Sequence, residues 1–439
     1  MSFHDLSFDT SGLFQNTIAA EGLSPQLVEE MIPQAREIHQ GIQDLKRLGQ
    51  MPFLDLSSHA EALGEIQKKA DEIREYFDHI LVLGIGGSAL GARWLVEALG
   101  KKPTPFLTFC DSISPFVWKK ISEKIQQTKT FLVVVSKSGN TLETLAAFSY
   151  FQKILKEKEG GNFKKPYLFI TDPHEGYLRK VATHENIPSL VIPSGVGGRY
   201  SILSPAGLFP AACSGVPLED LLAGARRMEE KCRTDHLWEN PPLLSATLHY
   251  LHDIKKKRRI RIHLSYEERL KGYGAWFDQL WAESLGKKFS LKGEELFCGT
   301  TAVSALGPQD QHSQLQLYLE GPKDKVVTLI RTAEEAEDVF LPQTIEPDSP
   351  VALLKGISVH RLLSLECEAT EKTLQEAHRP TQKILLNRLD AHSIGQLIAY
   401  SELETVYSGG LYNINPFNQP AVESIKKNIA ASLTKPTLI

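Results

Sequence analysis

Short apolar runs that end in glycine- or serine-rich loops alternate with segments of helical period along most of this chain, and few folds accommodate such a rhythm. His79 to Leu83 runs into glycines, Ala89 to Leu99 has helical spacing and stops at Gly100, and Pro105 to Cys110 is extended again. Thr130 to Val135 reads as a strand of mostly β-branched and aromatic residues. Thr141 to Leu155 reads as a helix stopped by Gly160-Gly161, and Tyr167 to Ile170 and Ser189 to Ile192 as two further short strands. Strand, helix, strand, helix is the pattern of a parallel α/β sheet. A second series begins near Arg259, with strands predicted at Arg261 to Leu264, Val326 to Ile330 and Lys383 to Leu389, and helices at Tyr273 to Leu285 and Ile394 to Tyr407. The halves share no sequence repeat, so any duplication would be structural only.

At 439 residues, and roughly 100 to 200 residues per domain, the chain has room for both sheets. The expected fold class is α/β, with two domains of parallel sheet flanked by helices and helical N- and C-terminal segments. Residues 1–55 read as an arm and a helix, since Ser24-Pro25 starts a pattern of Leu27, Met31 and Ala35. The first domain spans 56–215, a helical link 216–257, the second domain 258–408, and a C-terminal segment and helix 409–439. The link closes on the basic run Lys255 to Arg259, read as a solvated face at a helix end, where cations suit the dipole.

Forty-nine Lys plus Arg against fifty-three Asp plus Glu leave a formal charge of −4, which argues against nucleic acid as a partner. Cys110, Cys213, Cys232, Cys298 and Cys367 are too far apart for a CxxC pair or a zinc knuckle, and their odd number points to a reducing compartment. No apolar run reaches the roughly 18 residues of a membrane span, and Asp5 and Asp9 stand where a leader would be basic and apolar. A soluble, cytoplasmic protein with no metal and no membrane contact is expected.

Ligands of open parallel sheets bind beyond the carboxyl ends of the strands, so the loops there carry the functional signal. The first is Gly84-Ile85-Gly86-Gly87-Ser88-Ala89-Leu90-Gly91, in which Gly86, Gly87 and Ser88 can bring backbone N–H groups against an anion at a helix start. It also fits GxGxx[GA], with Asp111 closing the next strand where a ribose-binding carboxylate would sit, so a nicotinamide dinucleotide competes for it. The second is Ser136-Lys137-Ser138-Gly139-Asn140-Thr141-Leu142-Glu143-Thr144. Ser136, Lys137, Ser138 and Thr141 put hydroxyl and amine donors around a helix start, which describes a phosphate cup, and Asn140 with Glu143 fits the spacing of a capping box. A dinucleotide site has no use for this second cup.

The second loop resembles the Ser-x-Ser-Gly-x-Thr-x-Glu-Thr pattern of the sugar isomerase (SIS) fold. Within that fold the chain resembles the glucose-6-phosphate isomerase family, in its shorter bacterial form. Gly84 to Gly91 looks like the family's GIGGSxLG, Gly197-Gly198-Arg199-Tyr200-Ser201 like its GGR[YF]S, and Gln279 to Lys287 like its QLxxESxGK helix. Gln311-His312 lies in a segment like the one that carries its histidine, and Asn418-Gln419-Pro420-Ala421-Val422-Glu423-Ser424-Ile425-Lys426 is similar to DQxGVExGK. Departures occur at Gly139-Asn140, at Gly307-Pro308-Gln309-Asp310 before His312, and at Asn418, Ala421 and Ile425.

The resemblance implies two flavodoxin-like SIS domains and an aldose–ketose isomerisation of a sugar 6-phosphate through a cis-enediolate, in glycolysis and gluconeogenesis, with no cofactor. It implies Glu283 as the base, and the apolar neighbours Leu280, Trp281 and Leu285 suit that role. Arg199, permanently charged, is implied at the enediolate oxygen. His312 is implied in opening the sugar ring, with Lys426 near the ring oxygen and Gln279 and Gln419 binding substrate. It further implies a homodimer in which His312 reaches the neighbouring subunit's site. Two rivals remain: a sugar-phosphate-binding regulator that uses the same loops without chemistry, and a nicotinamide-dependent oxidoreductase built on Gly84 and Asp111.

Overall fold

The computed structural model describes residues 5–433 apart from 59, 102–104, 161–162 and 345; the side chains at 60–62, 423, 426, 427, 430 and 433 also fall outside the described set. A three-residue strand, β1 (Ser7–Asp9), comes first. The first series then gives β2 (His79–Leu83), β3 (Phe106–Cys110), β4 (Thr130–Ser136), β5 (Tyr167–Thr171) and β6 (Ser189–Val191), all parallel in the order β3-β2-β4-β5-β6. β2, β4 and β5 are buried at every position, as strands covered on both faces must be. Their side chains alternate between two cores. Ile80, Val82, Val133 and Val135 face a core shared with Trp94 and Leu95, while Leu81, Leu83, Leu132 and Val134 face Ile121, Ile125, Phe148 and Phe151.

The second series gives β7 (Ile260–Tyr266), then a hairpin of β8 (Lys287–Phe289) and β9 (Glu295–Cys298), then β10 (Thr301–Leu306), β11 (Lys325–Glu334) and β12 (Thr381–Arg388). Apart from the hairpin these form a sheet ordered β1-β12-β11-β7-β10, parallel except for β1, which pairs antiparallel with β12. The first four strands of each series take the same places, β3-β2-β4-β5 and β10-β7-β11-β12. The duplication invisible in sequence is therefore present in topology. In each sheet the chain steps to one side after its first strand and crosses back after its second, which puts a topological switch point between β2 and β4 and another between β7 and β11.

Two helices tie the sheets together. The helix Lys271–Leu285 packs against the helix Leu90–Leu99 and against β10, closely enough that a Cβ on Gly272 would come within 2.8 Å of Trp94 and one on Gly274 within 2.5 Å of Ser304. The helix Ala391–Leu411 is buried on nearly all sides, and one apolar core holds residues of both sheets, from Ile80 and Val133 to Ile330 and Leu386. The basic run departs from the solvated-face expectation at Arg258. Its side chain is buried, pairs with Glu21 at 2.6 Å and donates to the Glu21 carbonyl, so it anchors the N-terminal segment instead of facing water.

Candidate active site

Arg199 sits in the single turn Gly198–Tyr200 that follows β6, and its residue surface is 3% exposed. A guanidinium has five N–H donors, and each one here has an acceptor. Nε donates to Ser284 Oγ (2.7 Å), Nη1 to Glu283 Oε2 (3.2 Å) and Gln419 Oε1 (3.0 Å), and Nη2 to the carbonyls of Pro416 (2.7 Å) and Asn418 (3.3 Å). The arginine thus gathers three distant stretches of chain: its own turn, the end of the helix Lys271–Leu285, and the segment before the helix Pro420–Leu433.

Glu283 lies in the last turn of that first helix, its side chain 34% exposed, so the carboxylate is held and still reached from solvent. Oε1 accepts from Gln279 Nε2 (3.2 Å) one turn earlier, and Oε2 from Arg199. Gln279 Oε1 is buried without a partner, and Gly86 lies over the same amide, where a Cβ would approach Nε2 to 3.0 Å. A Cβ on Gly87 would stand 2.3 Å from the Gly198 carbonyl carbon, so only glycine lets the loop after β2 rest against the turn that carries Arg199. Glu283, Lys287, Phe289, Gln419 and Val422 line a cleft of about 790 Å³.

The serine-rich loop follows β4 across the switch point from the glycine loop. Ser136, buried at the strand end, shares a hydrogen bond with Thr141 (Oγ to Oγ1, 2.9 Å), and Ser138 Oγ accepts the Asn140 N–H (3.2 Å). Gly139 turns the loop at φ +65°, and Lys137 Nζ stands 4.0 Å from Asp172. Thr141 precedes the helix Leu142–Glu159 with no side-chain cap on its first N–H groups, leaving the helix start open to an anion. The capping box is not formed. Asn140 Oδ1 instead accepts the Tyr177 N–H (2.9 Å), a longer-range bond that ties the cup to the helix Tyr177–Glu185.

His312 is not at this site within the chain. β10 runs antiparallel to the helix Lys271–Leu285: Thr300, just before it, accepts from Trp281 Nε1 (2.8 Å), and Ser304 within it donates to Asp278 (2.8 Å). Beyond β10, Asp310 feels the charge of Lys271 at the helix start. Exposed His312 therefore lies toward one end of the helix and Glu283 at the other, about 18 Å away along the axis at about 1.5 Å per residue. Lys426 belongs to the helix Pro420–Leu433, but its side chain lies outside the described residues. The residue that sequence reasoning missed is Ser284, whose hydroxyl joins Arg199 Nε and the Tyr200 hydroxyl (3.0 Å); its place inside the QLxxESxGK stretch was the available signal. Asp111, the carboxylate a dinucleotide would need, is paired with Arg93 at 2.9 Å. Among the described residues no group of three or more His, Cys, Asp or Glu could hold a metal ion, and no helix is long and apolar enough to cross a membrane.

Comparison with known proteins gives the family. The model of the phosphoglucose isomerase family matches residues 64–437. The glucose-6-phosphate isomerase of Carboxydothermus hydrogenoformans is 35% identical over 98% of this chain and 94% of its own, and that of Rubrobacter xylanophilus 36% identical over 98% and 99%. Among solved structures, a hypothetical protein from Thermus thermophilus superposes with a TM-score of 0.90 at 33% identity, covering 98% of this chain and 100% of its own. A glucose-6-phosphate isomerase from Chlamydia trachomatis shares the fold, with a TM-score of 0.84 at 20% identity over 99% and 90% of the two chains. The chain belongs to the phosphoglucose isomerase family.

Proposed function

We propose that this protein interconverts glucose 6-phosphate and fructose 6-phosphate by proton transfer at the cleft holding Glu283. The observation that carries the reading is the pair of a half-open carboxylate and a buried guanidinium, Glu283 and Arg199, beneath a glycine loop at the switch point. The phosphate is anchored by the hydroxyls of Ser136, Ser138 and Thr141, by Lys137, and by N–H groups of Gly86, Gly87 and Ser88. Once the ring is open, the Glu283 carboxylate takes the proton from C2 of the aldose and returns it to C1, while the proton of the C2 hydroxyl passes to the C1 oxygen at the enediolate. The Arg199 charge stabilises the negative oxygen of that intermediate, and Gln279 and Gln419 hold the chain of hydroxyls.

Ring opening needs an acid and a base near the ring oxygen and the C1 hydroxyl, a task for histidine near neutral pH. His312 stands too far from Glu283 along its own chain, which supports its delivery from a second copy, in a homodimer where each cleft combines Glu283 and Arg199 with His312 of the partner subunit. Lys426 is assigned to the same ring oxygen by family resemblance. Each step uses a side chain of the protein, so the reaction needs no cofactor, and five unpaired cysteines suit the reducing cytoplasm. A sugar-phosphate sensor has no use for a base held against a buried cation. The test is to give the purified protein fructose 6-phosphate after dialysis against a chelator and without nicotinamide. Formation of glucose 6-phosphate is expected, and its absence would overturn the reading.

A further inference from the structure

Lys287 follows the helix that carries Glu283, and its side chain folds back onto it. Nζ donates to the carbonyls of Glu283 (2.6 Å) and Ser284 (2.7 Å). Those carbonyls belong to the last turn, where no further N–H is available from the helix; the Gly286 N–H goes to Ala282. One ammonium therefore holds the peptide groups of both residues that Arg199 grips by their side chains, and it does so at the negative end of the helix, where a cation is favoured. The residue is buried, yet it lines the same cleft as Glu283.

We infer that Lys287 is a positioning residue for the isomerisation: its ammonium fixes the last helical turn so that Glu283 and Ser284 stay in register with Arg199. The inference rests on the function proposed above. Three groups from the surrounding elements bear on Lys287, and a fourth bears on one of these. Glu283 is on the helix that precedes it, Arg199 in the turn after β6, and Cys298 faces it as its cross-strand partner on β9. Asp253 stands beyond Cys298, on the helix Pro241–Lys256. Burial, reinforced by the Arg199 charge, brings the Lys287 ammonium down to about 8, whereas burial pushes the Cys298 thiol up. Lys287 thus loses its charge, and with it the charge-assisted strength of both bonds, in a pH range where the thiol stays neutral.

The experiment measures kcat and KM for fructose 6-phosphate as a function of pH in the full-length wild type, Lys287→Met, Lys287→Arg and Cys298→Ser. In the wild type, kcat should decline above about pH 8. Lys287→Met should lower kcat by about tenfold to a hundredfold, within or below the about 10²–10⁴-fold attributed to a general base, and should move KM by no more than about threefold, because both bonds go to the helix and not to substrate. Lys287→Arg should recover part of kcat and carry the alkaline decline upward, since guanidinium stays charged. Cys298→Ser should keep the decline where it was. Wild-type kcat in Lys287→Met, an unmoved decline in Lys287→Arg, or its disappearance in Cys298→Ser would each overturn the inference while leaving the isomerase reading intact. If Lys287→Met does not fold, the other three profiles still decide. No turnover in the wild type would overturn both.

Discussion

Arg199 commits every N–H it has to protein acceptors, all five of them in two segments that lie far from it in the chain. Its charge is desolvated and its ion-pair partner is Glu283, so it holds that carboxylate in place, and in the proposed reaction it also lends positive charge where the enediolate forms. Lysine has three donors on a flexible stem and cannot reproduce the fork. Arg199→Lys should therefore lower kcat by about 10²-fold, the lower end of a general base's contribution, because the carboxylate loses its fixed position, and circular dichroism should show the fold retained. A kcat within about threefold of wild type would mean that charge alone suffices and the fork is dispensable. Sequence could nominate Arg199 and Glu283 separately, each inside its motif. It could not show that they touch, because the contact closes a loop of more than eighty residues.

The elements that read clearly in sequence are those buried on both faces. β2, β4 and β5 are continuous apolar runs because helices cover both sides of their sheet. β10 escaped notice because its Thr301-Ala302-Val303-Ser304 start is small and half-exposed at a sheet edge, where Gly274 of the neighbouring helix leaves room only for a small side chain. β1 is three residues long and is defined by its partner β12, not by its own pattern. The hairpin of β8 and β9 is mostly exposed, so burial left no periodicity to read. The two switch points also differ in chemistry. Between β7 and β11, Arg269 pairs with Glu267 at 2.8 Å and also with Glu335, so the strand ends there carry charges already paired within the protein. The crevice between β2 and β4 instead keeps hydroxyls and an uncapped helix start. Ser138→Ala combined with Thr141→Val should accordingly raise KM for fructose 6-phosphate by about tenfold or more, with a smaller change in kcat, since the lost hydrogen bonds act on a charged group in ground and transition states alike. An unchanged KM would move the phosphate elsewhere.

At the scale of the whole molecule, the two sheets share one core and the helix Lys271–Leu285 bridges them, with its C-terminal end in the cleft and its N-terminal end toward His312. One chain cannot bring both ends of a straight helix to one sugar. A symmetric pair can, if each copy offers its histidine loop to the other's cleft. Hybrid dimers of Glu283→Gln and His312→Ala chains would then hold one site with both defects and one with neither. Each hybrid should regain about half the activity of a wild-type dimer, given independent sites, and a randomly re-paired equimolar mixture, about half of it hybrid, about a quarter. Hybrids verified by mass that stay as inactive as either parent would place His312 outside the chemistry or within its own chain's site.

The proposed chemistry depends on Glu283 being the base, and Glu283→Gln tests that with little steric change. The amide keeps the size of the carboxylate and its place near Arg199 and Gln279, but it cannot take a proton. Turnover of fructose 6-phosphate to glucose 6-phosphate should fall by about 10² to 10⁴-fold, with KM held by the untouched phosphate cup. Turnover within about twofold of wild type, far short of a general base's contribution, would contradict that role, because the proton would then move without the carboxylate that Arg199 and Gln279 hold in the cleft.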